Sequence, residues 1–143
     1  MSKELFTANG IFALIGATIA NALGGWDLAL KVLVSMVVLD YVTGVVIAII
    51  NKQLSSEVGF RGLYKKMMIF ALVYLAVLLD AATDTSFIRT LVIMFYIANE
   101  GISVLENAGK LGVPYPEFLK NVLMQLKKST EEKGEAGNAN TKA

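Results

Sequence analysis

The sequence predicts an all-α integral membrane helical bundle with three or four transmembrane helices, a short C-terminal amphipathic helix and a homo-oligomeric state. Hydrophobic residues make up 55% of the 143 residues and charged residues only 17%, whereas an average soluble domain has roughly 25% charged residues. The apolar residues also stand in long blocks, whereas a soluble core produces short stripes. A bilayer-spanning helix needs about 20 mainly apolar residues, and four blocks approach that length.

These blocks place a transmembrane helical domain within residues 1–110. The predicted spans cover approximately residues 5–25, 30–50, 66–82 and 87–107. The second block is rich in β-branched residues, but strands of about 20 residues are rare, so its length favours a helix.

The first block differs from the other three, because small or polar residues form a stripe along one side of it. Gly16, Ala20 and Gly24 are candidate helix-packing positions in this stripe, since small residues allow helix backbones to approach closely in lipid. The alternative is that residues 5–25 lie at the membrane surface as an amphipathic helix.

The C-terminal region is predicted to lie outside the bilayer. Residues 111–128 form an amphipathic cytoplasmic helix with a basic side, which either lies on the anionic leaflet or packs on a neighbouring subunit. Residues 129–143 lack aromatic and large aliphatic side chains, which predicts a disordered tail.

The connection between the second and third blocks carries most of the positive charge among the loops. Because basic loops remain in the cytoplasm, this loop predicts the orientation of the spans. Both chain termini are then cytoplasmic if there are four spans. The residues of this cytoplasmic basic loop are Lys52, Arg61, Lys65 and Lys66.

Asp40 is the only charged residue in the stretch 32–50. A carboxylate at the centre of a spanning helix costs about 2.5–3.5 kcal/mol, and the twelve Val, Leu and Ile residues around it return about 4–7 kcal/mol. The helix can therefore insert, but the carboxylate must find a partner, water or a proton. Thr43 and Gly44 lie on the same helix face, which indicates an interface and not a lipid-facing surface.

A polar ribbon along the fourth block follows the same pattern, with 3.6-residue spacing. The sequence offers no buried basic partner at the depth of these acidic groups, so an isolated chain is expected to leave them unpaired. We therefore expect them to face a subunit interface or a lumen in a homo-oligomer, although a static bundle of mutually satisfied groups is a competing interpretation. The candidate residues on this face are Asp40, Thr43, Gly44, Asn99, Glu100, Ser103, Glu106 and Asn107.

Composition also narrows the functional classes. Cysteine and histidine are both absent, which removes Cys/His zinc sites and Cys–His or Ser–His–Asp catalysis. The net charge of +1 indicates no nucleic-acid partner. We expect no enzymatic activity, no cofactor, no metal and no small-molecule substrate; the expected partners are the lipid bilayer and further copies of the chain.

Three stretches carry a family resemblance by their order and spacing: "LDYVTG" at 39–44, "LSSEVGFRGLYKK" at 54–66 and "NEGISVLENAGKLGVPYPEFL" at 99–119. Together they resemble the phage lysis and toxin-secretion holins of Gram-positive bacteria and their phages, including the clostridial toxin-release type. The resemblance extends from about Asp40 to about Leu126, and the first block matches only as a variable apolar segment.

The resemblance implies a protein that accumulates in the bacterial cytoplasmic membrane, oligomerises and opens lesions. Such lesions release endolysin, which leads to host cell lysis, or a large toxin. Two alternatives remain at this stage: a small ion channel or transporter subunit, and an antiholin-like membrane scaffold.

Overall fold

The computed structural model describes the backbone of residues 2–141 and the side chains of residues 7–140. Within these residues the only regular secondary structure is helical and there is no strand, which confirms the all-α part of the predicted fold class. The helices are α1 (Ser2–Ala22), α2 (Leu28–Ile50), α3 (Ser56–Thr83), α4 (Ile88–Lys110) and α5 (Glu117–Thr141).

Three of the described helices, α2, α3 and α4, are long and apolar enough to cross a membrane. At 1.5 Å per residue, α2 and α4 are about 34 Å long and α3 is about 42 Å long. Each therefore exceeds the roughly 30 Å of a bilayer core. The apolar run of α1, Thr7–Ala22, is shorter.

Side chains define where the spanning helices begin. Asp27 precedes α2 and accepts a hydrogen bond from the backbone N–H of Leu30 at 2.9 Å, and Ser55 accepts one from Val58 at 3.1 Å at the start of α3. The first residues of α4 are capped from another helix, because the Asp80 carboxylate accepts from the backbone N–H groups of Ile88 and Arg89 at 3.0 and 2.9 Å. These bonds satisfy donors that a helix start leaves without partners.

Helix α4 is central, because it packs on α2 and α3 on one side and on α5 on the other. The core lies mainly between α2, α3 and α4, and apolar side chains on the outer faces of α2 and α3 stay exposed. Exposed apolar area of this extent is unfavourable in water and suits a lipid environment. The buried core residues include Leu30, Leu33, Val37, Ile69, Val73, Ile93 and Ile97.

Helix α5 runs antiparallel to α4 along its whole length. A Cβ atom built at Gly101 would lie 3.0 Å from Leu123, and one built at Gly137 would lie 3.1 Å from Phe87, near the opposite end of α4. The predicted helix at 111–128 therefore begins later, at Glu117, and continues to Thr141. The prediction of a disordered tail is wrong for residues 129–141, which are helical; residues 142–143 lie outside the described residues.

The stripe of small residues in the first block has a different role at each position. A Cβ built at Gly16 would meet nothing within 4 Å and Ala20 is half-buried, so packing of α1 on another helix remains a prediction. Gly24 lies beyond the end of α1 with a φ of 86°, where it leaves room for the Arg89 side chain. Its assignment as a helix-packing position in α1 is therefore wrong.

Replacement of Gly24 by Ala is expected to lower the free energy of unfolding by about 1–3 kcal/mol, because it combines left-handed strain with a displaced side chain. The added Cβ would lie 2.5 Å from Arg89 Nε. Thermal unfolding in detergent measures the effect. The matched control is Gly16→Ala, which adds a methyl group to an open helix surface and should leave stability unchanged or slightly raised. Equal unfolding of the two variants would contradict the role assigned to Gly24.

Candidate functional site

A charge cluster of Asp40, Lys66 and Glu100 joins the three candidate spans. The Lys66 ammonium group donates hydrogen bonds to Asp40 Oδ2 and to Glu100 Oε2. The exposed fractions of the three side chains are 14%, 16% and 4%, respectively. One cation therefore links α3 to both α2 and α4 in the interior of the bundle.

The second oxygen of the Asp40 carboxylate is also bound. Asn107 Nδ2 donates to Asp40 Oδ1 and to Thr43 Oγ1, each at 2.9 Å. The Thr43 hydroxyl donates in turn to the backbone carbonyl of Leu39 at 2.8 Å. No described buried polar side-chain atom lacks a hydrogen-bond partner, as expected where the environment offers little water.

The position of the charge cluster along the helices sets its depth. Asp40 lies close to the middle of α2 and Glu100 close to the middle of α4. In a membrane-spanning orientation, these helices place the carboxylates near the bilayer midplane. Lys66 reaches the same level because α3 begins well before it, at Ser56.

This arrangement corrects two expectations from the sequence. Lys66 was expected in a cytoplasmic loop, but residues 56–66 form the first turns of α3 and the Lys66 side chain points into the bundle. The expectation that Asp40 and Glu100 have no basic partner at their depth is also wrong, since Lys66 binds both. With two carboxylates and one ammonium group in their charged forms, the cluster carries a net charge of −1.

A groove of about 280 Å³ leads to the charge cluster from the end of the bundle where α2 connects to α3. Gly62 makes room for the Tyr41 ring, which lines the groove, since ring carbon Cε2 lies 3.2 Å from a Cβ built at Gly62. The Tyr41 hydroxyl donates to the Gly59 carbonyl at 3.3 Å. Gly44, which the sequence indicated as an interface position, lines this groove together with Asp40 and Lys66.

The other residues of the predicted polar ribbon do not converge on one lumen within the chain. Asn99 accepts a hydrogen bond from Lys127 of α5 at 3.1 Å, and Ser103 donates to the Asn99 carbonyl at 3.2 Å. Glu106 is exposed. The ribbon therefore divides between the contact with α2 and α3 and the contact with α5, so a shared lumen remains a prediction about assemblies of several copies.

The remaining predicted basic residues are exposed around the connection of α2 and α3. Arg61 pairs with Glu57 at 3.1 Å on the first turns of α3, and Lys65 is exposed one residue before Lys66, whose side chain is only 16% exposed. Lys52 follows the end of α2 with a φ of 54°. These side chains form a positively charged rim at this end of the bundle.

The Arg89 clamp, formed by Asp27, Asp80 and Arg89, is a second polar network at the opposite end. The Arg89 guanidinium donates to Asp27 Oδ2 at 2.7 Å and to the backbone carbonyls of Leu23 and Gly25 at 2.6 and 3.2 Å. Its side chain is only 14% exposed. No local sequence pattern indicates this clamp, because the guanidinium binds two backbone carbonyls and one carboxylate that lie more than 60 residues away in the chain.

Asp27 precedes the first spanning helix and is the titratable part of the clamp. The hydrogen bond from Arg89 lowers the pKa of the Asp27 carboxyl, and the backbone N–H of Leu30 lowers it further. A carboxyl whose pKa is depressed by folding contributes stability above its unfolded pKa, near 3.9, and loses it as the pH falls through the folded pKa.

Replacement of Asp27 by Asn is expected to reduce stability modestly at neutral pH, by less than about 1 kcal/mol, because Asp27 is partly exposed. The difference from the unmodified protein should shrink as the pH falls below 4. Thermal unfolding in detergent from pH 7 to pH 3 measures this. Asp84→Asn serves as the control, because Asp84 has a left-handed φ of 53° that Asn also tolerates. A pH-independent difference would contradict the charged clamp.

Comparisons with known proteins agree on one family. Residues 17–128 match the bacteriophage holin family, which bears out the resemblance carried by the three sequence stretches. The chain is 33% identical over 99 residues to a probable holin of Bacillus phage phi105, with 68% of this chain and 73% of that protein covered.

Relatives also occur in bacteria. An uncharacterized 14.9 kDa protein encoded in the nagH 3′ region of Clostridium perfringens is 46% identical over 114 residues, which cover 78% of this chain and 86% of that protein. An uncharacterized protein of Halalkalibacterium halodurans is 38% identical over 121 residues, with 80% and 90% covered. No solved structure matches the chain significantly. With three apolar helices of spanning length and a family match over most of its length, this chain is a membrane protein of the bacteriophage holin family, which permeabilises membranes and is not enzymatic.

Proposed function

We propose that this chain oligomerises in the bacterial cytoplasmic membrane and opens lesions through which a folded endolysin or a large toxin leaves the cell. The observation that carries the proposal is the charge cluster. A net negative, mutually bonded group at the middle of a lipid-facing bundle is costly, and such groups in membranes mark functional sites.

The charge cluster suits a two-state mechanism. In the closed state, Lys66 holds Asp40 and Glu100 and so ties the three spans together. In the open state, the same groups take water as their partner and line the lesion. The groove beside Tyr41 and Gly62 provides the route by which water first reaches them. Opening is then a shift in population between two arrangements of the same helices.

The charge distribution supports one orientation of this bundle. The rim of Lys52, Arg61 and Lys65 lies on the cytoplasmic side by the positive-inside rule, so the Arg89 clamp lies on the outer side. Helix α4 then ends in the cytoplasm, and with it the start of α5. The N-terminus is cytoplasmic if α1 crosses the membrane as a fourth span.

The reason for assembly differs from the one that the sequence suggested. Because Lys66 neutralises one carboxylate within a single chain, unpaired acidic groups do not force copies together. Support for assembly comes instead from the family, in which self-association in the membrane is expected, and from the size of the cargo, since one bundle of three spans encloses no channel for a folded protein.

The test is controlled expression in bacteria that contain a folded cytoplasmic reporter enzyme and, separately, a co-expressed endolysin. A lesion-forming holin should collapse the membrane potential, release the reporter and permit lysis only with the endolysin. Ion leakage without reporter release would instead support a small channel or transporter subunit. Absence of toxicity, together with delayed lysis by another holin, would support an antiholin-like scaffold.

A further inference from the structure

Helix α5 occupies a position that it cannot keep in a membrane. It lies beside α4 from the Gly109 end to the Phe87 end, and α4 is one of the three helices suited to span a bilayer. Yet α5 carries eight charged residues between Glu117 and Glu135, and charged side chains in the hydrocarbon region are strongly unfavourable. When α4 spans the membrane, α5 must leave this face.

The face that α5 covers has the pattern of a helix-pairing surface. Apolar or small residues recur along it at alternating spacings of four and three, which is the repeat of a close-packed helix pair. By helical geometry this stripe lies opposite the side of α4 that carries Ile93, Ile97 and Glu100. We call it the α4 seam; it consists of Leu91, Phe95, Ala98, Ile102, Leu105 and Gly109.

When α5 leaves, the polar and small residues beside the α4 seam lose their contacts with α5 and need new partners. Asn99 loses Lys127, its hydrogen-bond donor at 3.1 Å, and an amide facing lipid without a partner is unfavourable. Asn99 and Gly101 flank the α4 seam on opposite sides, so in a parallel two-fold pair the Asn99 amide of one copy faces Gly101 of the other, where the absent side chain leaves room for it. Gly101, which Leu123 now approaches closely, permits close contact of two backbones.

Helix α5 covers the α4 seam only in part and has an alternative position. A groove of about 710 Å³ lies between α3, α4 and the C-terminal half of α5, so α5 does not cover this side of α4 completely. Phe118 and Val122, four residues apart on one side of α5, are more than half exposed, so part of the apolar face of α5 is not covered by α4. With its lysines, this face suits the surface of an anionic leaflet, where a released α5 finds an alternative position.

We infer that the α4 seam is the surface on which two copies of this chain pair in the membrane, and that α5 blocks this pairing until it is released. The inference deepens the proposed function, because it names the interface and the contact that controls it. The partner is a second copy of the chain, whose parallel α4 presents the same seam. The chain contains no cysteine, so any disulfide that forms joins only the introduced cysteines.

The first experiment locks α5 in place. Gly101→Cys with Leu123→Cys places two thiols at a close contact, since Leu123 Cγ lies 3.7 Å from a Cβ built at Gly101, within the reach of a disulfide. The full chain, oxidised in detergent, is added to vesicles of phosphatidylglycerol and phosphatidylethanolamine that contain a folded enzyme. Release by the cross-linked protein should be at least tenfold slower than after reduction, while reductant should not change the unmodified chain or either single variant.

The second experiment identifies the interface. Ile102→Cys lies on the α4 seam, and Val42→Cys lies at a similar depth on the exposed side of α2. Oxidation of the full chain in membranes should yield disulfide-linked dimers of the Ile102→Cys protein in several-fold excess over the Val42→Cys protein. Equal or reversed yields would overturn the inference, as would undiminished release by fully cross-linked protein. Failure of the unmodified chain to release the enzyme would instead reject the proposed function, and the dimer yields would still decide the interface.

Discussion

Replacement of Lys66 by Met should have the largest effect on stability, a loss of about 3–5 kcal/mol, because it leaves two buried carboxylates without their cation. Lys66 joins α3 to both other candidate spans, because its ammonium group binds Asp40 of α2 and Glu100 of α4. We expect low accumulation in membranes and a lower thermal unfolding midpoint in detergent. The loss should be far larger than for Lys65→Met, the matched control, since Lys65 is the neighbouring exposed lysine.

A rescue separates the loss of charge balance from the loss of packing. The variant with Lys66→Met, Asp40→Asn and Glu100→Gln removes all three charges and keeps the shapes of the side chains. It should recover most of the lost stability, because neutral buried groups cost less than unpaired charges. If the triple variant were as unstable as Lys66→Met, or if Lys66→Met were as stable as Lys65→Met, the charge cluster would have no role in holding the spans together.

Replacement of Glu100 by Gln should abolish the response of opening to membrane potential. It leaves Lys66 paired with Asp40, so the net charge of the cluster falls from −1 to zero. Moving one charge across 100 mV is worth about 2.3 kcal/mol. A negative charge that moves on opening from mid-depth into water on the cytoplasmic side crosses about half of this potential, which an inside-negative membrane opposes, so loss of the potential raises the open-to-closed ratio roughly sevenfold. We expect depolarisation to speed release by the unmodified chain and to leave the Glu100→Gln protein unaffected.

Release of an enclosed enzyme from vesicles with a potassium-diffusion potential measures this response directly. Asp40→Asn should behave like Glu100→Gln, because it also leaves one carboxylate for Lys66. Glu106→Gln is the control on the same helix, and since Glu106 is exposed, it should keep the response. A Glu100→Gln protein that still responds to voltage would show that the sensing charge lies elsewhere.

The helices were predictable from the sequence because each apolar block exceeds any ordinary strand in length. The acidic members of the charge cluster were also predictable, since a carboxylate such as Asp40 is conspicuous among apolar residues. Lys66 was not, because it stands in a stretch that reads as a hydrophilic loop. The hydroxyl of Ser55 starts a helix there, and ten residues of helix then raise Lys66 by about 15 Å to the level of the carboxylates.

The C-terminal half of α5 is ordered although its composition predicts disorder. Residues 129–141 have too few apolar side chains to form a core alone, which predicts disorder, yet they are helical beside α4. Thr130 is buried there and Gly137 lies against Phe87. Order in this region depends on a long-range contact that no local pattern contains.

The mixed composition of α3 makes the protein sensitive to the thickness of its membrane. The apolar run of α3, residues 67–82, is about 24 Å long at 1.5 Å per residue and is shorter than the roughly 30 Å hydrocarbon core, whereas the ten residues before it include Arg61, Lys65 and Lys66. A helix whose apolar run is too short for its bilayer thins the bilayer locally or extends its flanking charged side chains towards the headgroups. A thicker bilayer therefore acts first on α3, and through it on the lysine that joins the spans.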